Sequence, residues 1–203
     1  MADTPDDPTN SPANPSLSAE RRRAIALGEP PRLTGPIHLA AYDPQWPRRV
    51  AALADGIREA LGARALQLDH VGSTAVPGLA AKPILDLDLV VADSSDEARY
   101  VPDLERLGYV LRIREPAWHE HRLLKRERPS VNLHVFSRGS PEHERVVRFR
   151  DWLRTHEEDR ALYEQTKREL AGREWVNMQG YADAKSPVIE AILARAFAAR
   201  DAG

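Results

Sequence analysis

Hydrophobic and polar positions divide the chain into a strand-rich part followed by a helical part. Up to about residue 138, short apolar runs separated by turn residues indicate β-strands, whereas from Ser140 onward apolar positions recur with helical spacing. The pattern predicts an α+β protein. A mixed sheet flanked by helices is expected over about residues 37–138, followed by a C-terminal helical lobe over about residues 140–199.

Local signals predict the individual elements. Strands are expected at both ends of the stretch 66–91 and at residues 37–42, 109–114, 122–126 and 131–136. One helix begins at Pro47 and ends at Gly62, and a second over 94–107 is interrupted by Pro102. The dipeptide Ser140-Pro141 begins a third helix, with Ser140 as its cap. The last two helices are expected over about residues 157–170 and 183–199.

Residues 66–91 contain the most informative pattern: a strand, a loop of small residues, and a second strand that carries Asp86 and Asp88. Because side chains alternate between the faces of a strand, both aspartates project to one side. The other side carries the apolar residues Leu85, Leu87, Leu89 and Val91. Unpaired carboxylates are costly to bury, so a metal ion, a lysine or arginine, or solvent at a cleft must lie beside the aspartates.

The loop residues Gly72-Ser73-Thr74 are small enough for their backbone N–H groups and hydroxyls to approach an anion. Taken alone, this tripeptide is more simply a tight turn. It is not a nucleotide-binding loop of the Walker A type, because the spacing from Gly78 to Lys82 does not fit and Pro83 interrupts the helix that such a loop needs.

Other candidate residues have a structural interpretation beside the functional one. For the two aspartates the structural alternative is an ion cluster with Arg112, Arg122 or Lys125 on adjacent strands. His134, on the polar face of the strand 131–136, is either a hydrogen-bonded structural side chain or a functional group. Lys82, Lys167 and Lys185 either face solvent or contact an anion. The basic stripe Arg148, Arg150 and Arg154 is best explained as a solvated helix face.

Composition and charge exclude several classes of function. The 203 residues carry a formal charge of −2, which gives no global attraction to nucleic acid or to an anionic membrane. The chain has no cysteine, so disulfides and thiolate chemistry are excluded. No apolar run approaches the roughly 20 residues that span a bilayer, and the acidic start lacks the apolar core of a secretory signal. We therefore expect a cytoplasmic protein without a membrane partner.

Residues 1–30 are expected to form a disordered or weakly structured tail. Proline, aspartate, asparagine and serine dominate its first part, and side chains that build a core are scarce there. The remaining residues, 31–203, are expected to form one domain that contains both the sheet and the helical lobe.

The stretch 70–83 reads His-Val-Gly-Ser-Thr-Ala-Val-Pro-Gly-Leu-Ala-Ala-Lys-Pro and is followed by Asp86. It resembles the signature of the GrpB family. The resemblance covers residues 37 to about 197, and a motif of this length is specific. It continues through Tyr42-Asp43-Pro44 with Trp46-Pro47, Leu133-His134-Val135, Gly139-Ser140-Pro141-Glu142, Phe149-Arg150-Asp151, Tyr163 with Lys167, and Tyr181 with Lys185.

The resemblance implies a nucleotidyltransferase-like fold of the polymerase-beta type. In that superfamily a Gly-Ser turn precedes two metal-binding acids on the next strand, and a third acid lies on a neighbouring strand. Gly72-Ser73 and Asp86-x-Asp88 match the first two parts. The third position falls in Asn132-Leu133-His134, where this chain has no acid and His134 is the candidate.

The same correspondence implies that Asp86, Asp88 and His134 bind Mg²⁺ and carry catalysis, with His134 as a ligand or as the base for an acceptor hydroxyl. The implied reaction moves a nucleoside monophosphate from a nucleoside triphosphate to an unidentified acceptor. The residues expected to bind the nucleotide and its phosphates are His70, Gly72, Ser73, Thr74, Lys82, Lys167 and Lys185.

Two further expectations follow from the resemblance. Some GrpB proteins are fused to dephospho-CoA kinase, which implies a link to coenzyme A metabolism. The histidine at the position of the third acid supports an alternative function, namely a catalytically degenerate nucleotide-binding or protein-interaction module of the same fold.

Overall fold

The computed structural model describes residues 25–27 and 35–201, without the side chains of Gln179, Arg200 and Asp201. Most of the predicted tail of residues 1–30 lies outside the described residues. A five-stranded mixed sheet forms the centre of the described chain, in the order β1-β2-β5-β4-β3. The strands are β1 (Gln67–Val71), β2 (Leu85–Val91), β3 (Val110–Glu115), β4 (His121–Arg126) and β5 (Val131–Ser137).

Strand β2 lies inside the sheet, since it pairs with β1 antiparallel and with β5 parallel. Strands β3, β4 and β5 form two consecutive antiparallel pairs. The parallel β2–β5 pair requires a crossover, and the β3–β4 hairpin lies within that connection. This arrangement confirms the α+β fold with a mixed sheet.

Two helices cover the apolar face of the sheet. Helix α1 (Trp46–Leu61) and helix α2 (Val101–Arg106) pack on it through side chains that include Ile57 and Leu104. The strands supply alternating residues such as Leu87 and Leu133, which are fully buried. The alternating apolar residues of β2 and β5 therefore form the buried face of the sheet.

Four helices form the C-terminal lobe: α3 (Pro141–Thr155), α4 (Glu157–Ala171), α5 (Met178–Asp183) and α6 (Ser186–Asp201). Leu153, Tyr163 and Ile192 pack together against Val76 and Leu79, which belong to the connection between β1 and β2. The lobe is thus anchored on the loop that precedes the two aspartates.

Three sequence-based expectations need correction. Residues 37–42 are not a strand, because only Ala40 pairs, in an isolated bridge with Ala81. The last predicted helix, over about residues 183–199, begins at Ser186 with Pro187 in its first turn, and the short helix α5 before it was not predicted. Ser140 precedes α3 as expected, but its side chain makes no capping hydrogen bond.

The segment 94–107 contains two short pieces, as Pro102 indicated, namely a 3-10 turn at Glu97–Arg99 and α2. Within the described ranges, no helix has the length and apolar character needed to span a membrane.

Candidate active site

The polar face of the sheet collects acidic and imidazole side chains from three adjacent strands. Asp69 of β1 lies directly opposite Asp88 of β2, and Asp86 and Asp88 are level with Asn132 and His134 of β5. Residues opposite one another in neighbouring strands share a face. The sheet therefore brings Asp86, Asp88 and His134 together, as the sequence predicted, and adds Asp69 and Asn132.

Gly72 lies against Asp86 at a distance that excludes any side chain. Its φ of +68° is in the left-handed region, and a Cβ atom placed on it would lie 2.5 Å from Asp86 Oδ2. The chain then turns through a 3-10 segment at Ser73–Ala75. Glycine at this position thus lets the backbone of the turn touch the carboxylate.

Each aspartate has a polar partner on the same face. Asn132 Nδ2 donates to Asp86 Oδ1 over 2.8 Å. Asp88, which is 1% exposed, has His143 Nδ1 at 3.1 Å from its Oδ2. In the described part of the chain neither aspartate forms an ion pair with lysine or arginine, and Arg122 pairs with Glu97 and Glu120 instead. The arginine cluster considered for the two aspartates is therefore not what holds them.

Helix α3 connects the aspartates to the edge strand. His143 Nε2 lies 3.5 Å from Asp69 Oδ2, so one imidazole bridges Asp69 and Asp88. Arg150 Nη1 donates to Asp69 Oδ1 and to the carbonyl of His70. Arg154 Nε donates to the carbonyl of Ala75. The interpretation of these arginines as a solvated stripe was wrong, because they hold β1 and the turn beneath the helix.

His134 is half-buried and lies next to Asp88 in the parallel register. Its Nδ1 lies 3.0 Å from His121 Nε2. Over the described ranges, no group of three or more histidine, aspartate or glutamate side chains is arranged to hold a metal ion. The predicted ligands Asp86, Asp88 and His134 thus lie on one face of the sheet but do not surround a position for a metal ion.

Thr74 and His70 face each other inside the protein. Thr74 is 1% exposed, and its Oγ1 lies 2.9 Å from His70 Nε2. Burial lowers the pKa of His70 to about 4, and the charges of Arg154 and Arg150 act in the same direction. These two side chains brace the turn internally, whereas Ser73 lies beside the buried Tyr163 hydroxyl, whose pKa burial raises to about 12.

The ammonium groups of Lys82 and Lys185 both lie near the aromatic ring of Tyr181, close to Asp86. Their Nζ atoms lie 5.5 and 4.9 Å from the centre of the Tyr181 ring. Burial, followed by the charge of Lys185, lowers the pKa of Lys82 to about 8, against the opposing effect of Asp86. Burial also lowers the pKa of Lys185, again opposed by Asp86. Two ammonium groups are therefore held together beside the carboxylate.

Lys167 is buried and fixes the loop before β2. Its Nζ donates to the carbonyl of Ala80, and it lies 4.9 Å from the centre of the Tyr163 ring. Glu164 accepts from the N–H of Ala80, so α4 binds both backbone groups of one residue. Burial and then Lys185 lower the pKa of Lys167 to about 7. Its interpretation as a solvent-facing helix residue was therefore wrong.

A bound magnesium nucleotide fits the donors on this face. Mg²⁺ in nucleotide enzymes is commonly held by one or two carboxylates together with substrate phosphates, and it retains waters instead of requiring a protein cage. Asp86 and Asp88 supply two carboxylates on one strand, and the Gly72 turn reaches Asp86 without an intervening side chain. His134 is not needed as a third ligand in such an arrangement.

Sequence reasoning missed several residues of this face. Asp69 became visible only through the register of β1 against β2. His143 was part of a helix-start signal, and His121 was only the residue before a predicted strand. The pairs Tyr163 with Lys167 and Tyr181 with Lys185 were noted in the family resemblance. In the structure the ammonium group of each lysine lies over the ring of its tyrosine.

The fold and the site together define an α+β protein in which a helical lobe packs over the sheet face that carries the aspartates. The profile described as "GrpB protein" matches residues 36–195. The chain belongs to the GrpB family, as the motif at residues 70–83 predicted.

Curated relatives agree with this assignment. The chain is 52% identical over 179 residues to the UPF0157 protein BH1888 of Halalkalibacterium halodurans, covering 88% of this chain and 92% of that protein. It is 46% identical over 164 residues to the UPF0157 protein SCO7215 of Streptomyces coelicolor, covering 81% and 86%. It is also 30% identical to the dephospho-CoA kinase of Mycolicibacterium paratuberculosis, covering 75% of this chain but only 44% of that protein.

Among solved structures, the conserved protein GrpB from Enterococcus faecalis matches with a TM-score of 0.68 and 24% identity, over 79% of this chain and 99% of that one. This match shows the fold. The Cid1 poly (U) polymerase gives a weaker likeness, with a TM-score of 0.42 and 14% identity over 72% of this chain and 49% of that one. A likeness of that size carries no argument about function.

Proposed function

We propose that this protein is a Mg²⁺-dependent nucleotidyltransferase that moves a nucleoside monophosphate from a nucleoside triphosphate to an acceptor. One observation carries the proposal. The backbone of the small-residue turn touches the carboxylate of Asp86 at Gly72, and Lys82 and Lys185 lie near the same carboxylate. Acidic groups for a cation and basic groups for phosphate are thus combined within one small region.

In this proposal Asp86 and Asp88 hold the cation, which when bound neutralises charge on the phosphate oxygens of the nucleotide. The hydrogen bond from Asn132 fixes the orientation of Asp86. His143 does the same for Asp88. Both carboxylates are therefore oriented before substrate arrives, which reduces the ordering cost of binding.

The phosphates are bound by the turn at Gly72-Ser73, by Lys82 before β2 and by Lys185 of the helical lobe. Exposed N–H groups of a tight turn favour an anion, and an ammonium group supplies a compact positive charge. Lys82 and Lys185 oppose each other electrostatically in the free protein. A phosphate between them relieves that repulsion. His70, Thr74 and Lys167 contribute indirectly, because they brace the turn and the loop after it.

His134 is proposed as the group that accepts the proton of the attacking hydroxyl. A neutral imidazole performs this step near neutral pH, and a positioned base typically contributes roughly 10²- to 10⁴-fold in rate. The acceptor is a hydroxyl- or phosphate-bearing molecule. Because one relative is named dephospho-CoA kinase, intermediates of coenzyme A synthesis are the first acceptors to test.

Binding is tested by the melting temperature of the full chain with Mg²⁺ and a non-hydrolysable triphosphate of each of the four bases. A hundredfold excess over Kd is expected to raise the melting temperature by about 5 °C or more. The double variant Asp86→Asn with Asp88→Asn is expected to lose this rise. Asp55→Asn, on an exposed part of α1, is the matched control and is expected to retain it.

Turnover is tested by release of pyrophosphate from the same triphosphates in the presence of candidate acceptors. No rise in melting temperature with any triphosphate would count against nucleotide binding altogether.

A binding module of the same fold is the second candidate function. The observation that favours it is the histidine at the position of the third acid, together with the missing group of three metal donors in the described ranges. Nucleotide binding that depends on Asp86 and Asp88 without pyrophosphate release from any acceptor would support this function over transfer.

A further inference from the structure

A chain of three side chains leads away from the candidate site along the sheet. Glu115 Oε2 lies 2.6 Å from His121 Nδ1, and His121 Nε2 lies 3.0 Å from His134 Nδ1. Glu115 is 6% exposed and His121 is 3% exposed. The chain ends at His134, which is the neighbour of Asp88 in the parallel register.

We propose that Glu115 and His121 are positioning residues that fix His134 in a single tautomer, with its proton on Nδ1 and the lone pair on Nε2. The tautomer is a property of the free protein. Only the use of Nε2 as a proton acceptor rests on the proposed function.

The tautomer follows from hydrogen-bond directions. An ionised carboxylate only accepts hydrogen bonds, so with Glu115 ionised, as the proposal takes it to be, His121 donates to Glu115 through Nδ1–H. In a neutral His121 the other nitrogen, Nε2, then has a lone pair and accepts. Its partner, His134 Nδ1, must therefore be the donor, and the lone pair of His134 is left on Nε2. Which ring nitrogen carries the proton is in general set by the hydrogen bond that the other makes.

A charged His121 would reverse the second bond, because both of its nitrogens would then donate. Burial opposes that state, since a charged imidazole is costly to remove from water. The centres of the Trp118 and Phe136 rings lie 5.2 and 5.0 Å from the centre of the His121 ring, so two aromatic side chains shield it from water. Burial lowers the pKa of His121 in spite of the hydrogen bond to Glu115, which raises it.

The hairpin between β3 and β4 holds this arrangement in place. Glu115 and His121 are the last paired residues of the two strands, so they face each other directly. The connecting turn contains His119 and Glu120 with φ values of 52° and 49°, a conformation that is uncommon outside glycine. The turn thus accepts an unfavourable backbone geometry where it brings the carboxylate and the imidazole together.

Long-range proton–nitrogen NMR spectra of the isotope-labelled full chain test the proposal without any ligand. The ring nitrogens of His134 are expected to show a protonated Nδ1 and an unprotonated Nε2, and His121 is expected to show the same pattern. A His134 protonated on Nε2, or a His121 protonated on both nitrogens at neutral pH, would overturn the proposal.

Two variants separate the hydrogen bond from packing. His121→Phe keeps a flat ring between its aromatic neighbours but removes the acceptor, so His134 is expected to lose the fixed Nδ1–H tautomer. Phe136→Leu changes the packing against His121 and leaves both hydrogen bonds, so His134 is expected to retain it. Retention of the tautomer in His121→Phe would show that His121 does not position His134.

Activity provides an independent readout. If transfer is detected, His121→Phe is expected to lower kcat by about 10- to 100-fold, the range typical when the partner behind a reactive histidine is removed, with KM for the nucleotide little changed. If no transfer is detected for any acceptor, the proposed function fails, whereas the tautomer of His134 still decides the positioning role.

Discussion

At the scale of single residues, Gly72 is the position at which backbone conformation and chemistry coincide. The left-handed φ and the contact with Asp86 both require glycine, and each alone would disfavour a side chain. The same chain contains Gly78 with a similar φ of +79°, but a Cβ atom placed on Gly78 would meet no atom within 4 Å. Substitutions at the two glycines therefore distinguish the effect of backbone strain, present at both, from that of steric contact, present only at Gly72.

Gly72→Ala is expected to abolish the nucleotide-dependent rise in melting temperature, because the added methyl group must displace the Asp86 carboxylate. Gly78→Ala is the control, since it carries a comparable backbone cost of about 1–3 kcal/mol without that contact. It is expected to lower stability but to retain the response to Mg²⁺ and triphosphate. Thermal unfolding with and without ligand measures both effects, and a retained response in Gly72→Ala would contradict the role assigned to the turn.

Glu142 is a second residue whose environment gives a measurable consequence. It is 4% exposed, and among the described residues its Oε2 has no hydrogen-bond partner, although Oε1 accepts from Arg145. Burial raises the pKa of Glu142 to about 7, Arg145 opposes the rise, and Asp88 adds to it. The folded protein therefore binds this proton more tightly than the unfolded chain does.

Because the folded pKa of Glu142 lies above the unfolded value of 4.5, its contribution to stability is lost as pH rises from about 4.5 to 7. Glu142→Gln is expected to remove that loss. Relative to wild type, the free energy of unfolding of the variant should gain about 3 kcal/mol between pH 5 and pH 8. Urea unfolding at the two pH values measures this, with the exposed Glu144→Gln as control. If the variant and the wild type differ in free energy of unfolding by the same amount at both pH values, the raised pKa of Glu142 is contradicted.

At the scale of elements, α3 fastens the edge of the sheet to the helical lobe. Arg150 reaches Asp69 and the carbonyl of His70, and Arg154 reaches the carbonyl of Ala75. An arginine fork forms several directed hydrogen bonds at once, which the single ammonium group of lysine does not reproduce. The attachment of α3 to the edge of the sheet thus depends on the shape of these side chains as well as on their charge.

Arg150→Ala is expected to lower the free energy of unfolding by about 1–3 kcal/mol, because it removes the donor to Asp69 Oδ1 and to the carbonyl of His70. Arg150→Lys keeps the charge but is expected to recover only part of that loss. Arg58→Ala, in an exposed ion pair on α1, is the control and should change stability by less than about 0.5 kcal/mol. Denaturant unfolding measures all three, and full recovery by lysine would show that charge alone matters.

At the scale of the whole molecule, the two lysines of the proposed phosphate site and the lysine that braces its loop come together only because three parts of the chain converge. Lys82 lies before β2, Lys167 lies on α4, and Lys185 lies between α5 and α6. Burial lowers the pKa of each in the free protein, and the charge of Lys185 lowers those of Lys82 and Lys167 further. Binding of a phosphate restores these pKa values toward normal, so nucleotide binding is expected to be coupled to proton uptake.

Affinity for a non-hydrolysable triphosphate is therefore expected to fall as pH rises through the pKa values of Lys167, about 7, and Lys82, about 8. The reason is that the neutral amines formed above these values no longer attract the anion. Calorimetric titration between about pH 6.5 and 9, in buffers of different ionisation enthalpy, measures both the affinity and the proton uptake. Lys82→Met should bind more weakly and lose the part of the pH dependence near pH 8. An affinity that does not change with pH over this range would contradict the coupling.

The sequence predicted the elements well where one local rule acts. Alternation gave β2 and β5 with their correct faces, and proline and glycine positions gave the ends of α1, α3 and α4. It failed at residues 37–42, where the expected strand has no neighbouring strand beyond one bridge, and at residues 178–183, where the short helix α5 was not predicted. In both cases the deciding contacts come from distant parts of the chain.

By itself, the sequence determined the family, the apolar core face of the sheet, and the pair of aspartates that follows a small-residue turn. Those features are encoded within short stretches of neighbouring residues. Tertiary structure alone decided what the aspartates meet: His143 is 55 positions from Asp88, and Asn132 is 46 positions from Asp86. Such partners depend on strand register and helix docking, which are set by packing of the whole domain and leave no periodic signal in the chain.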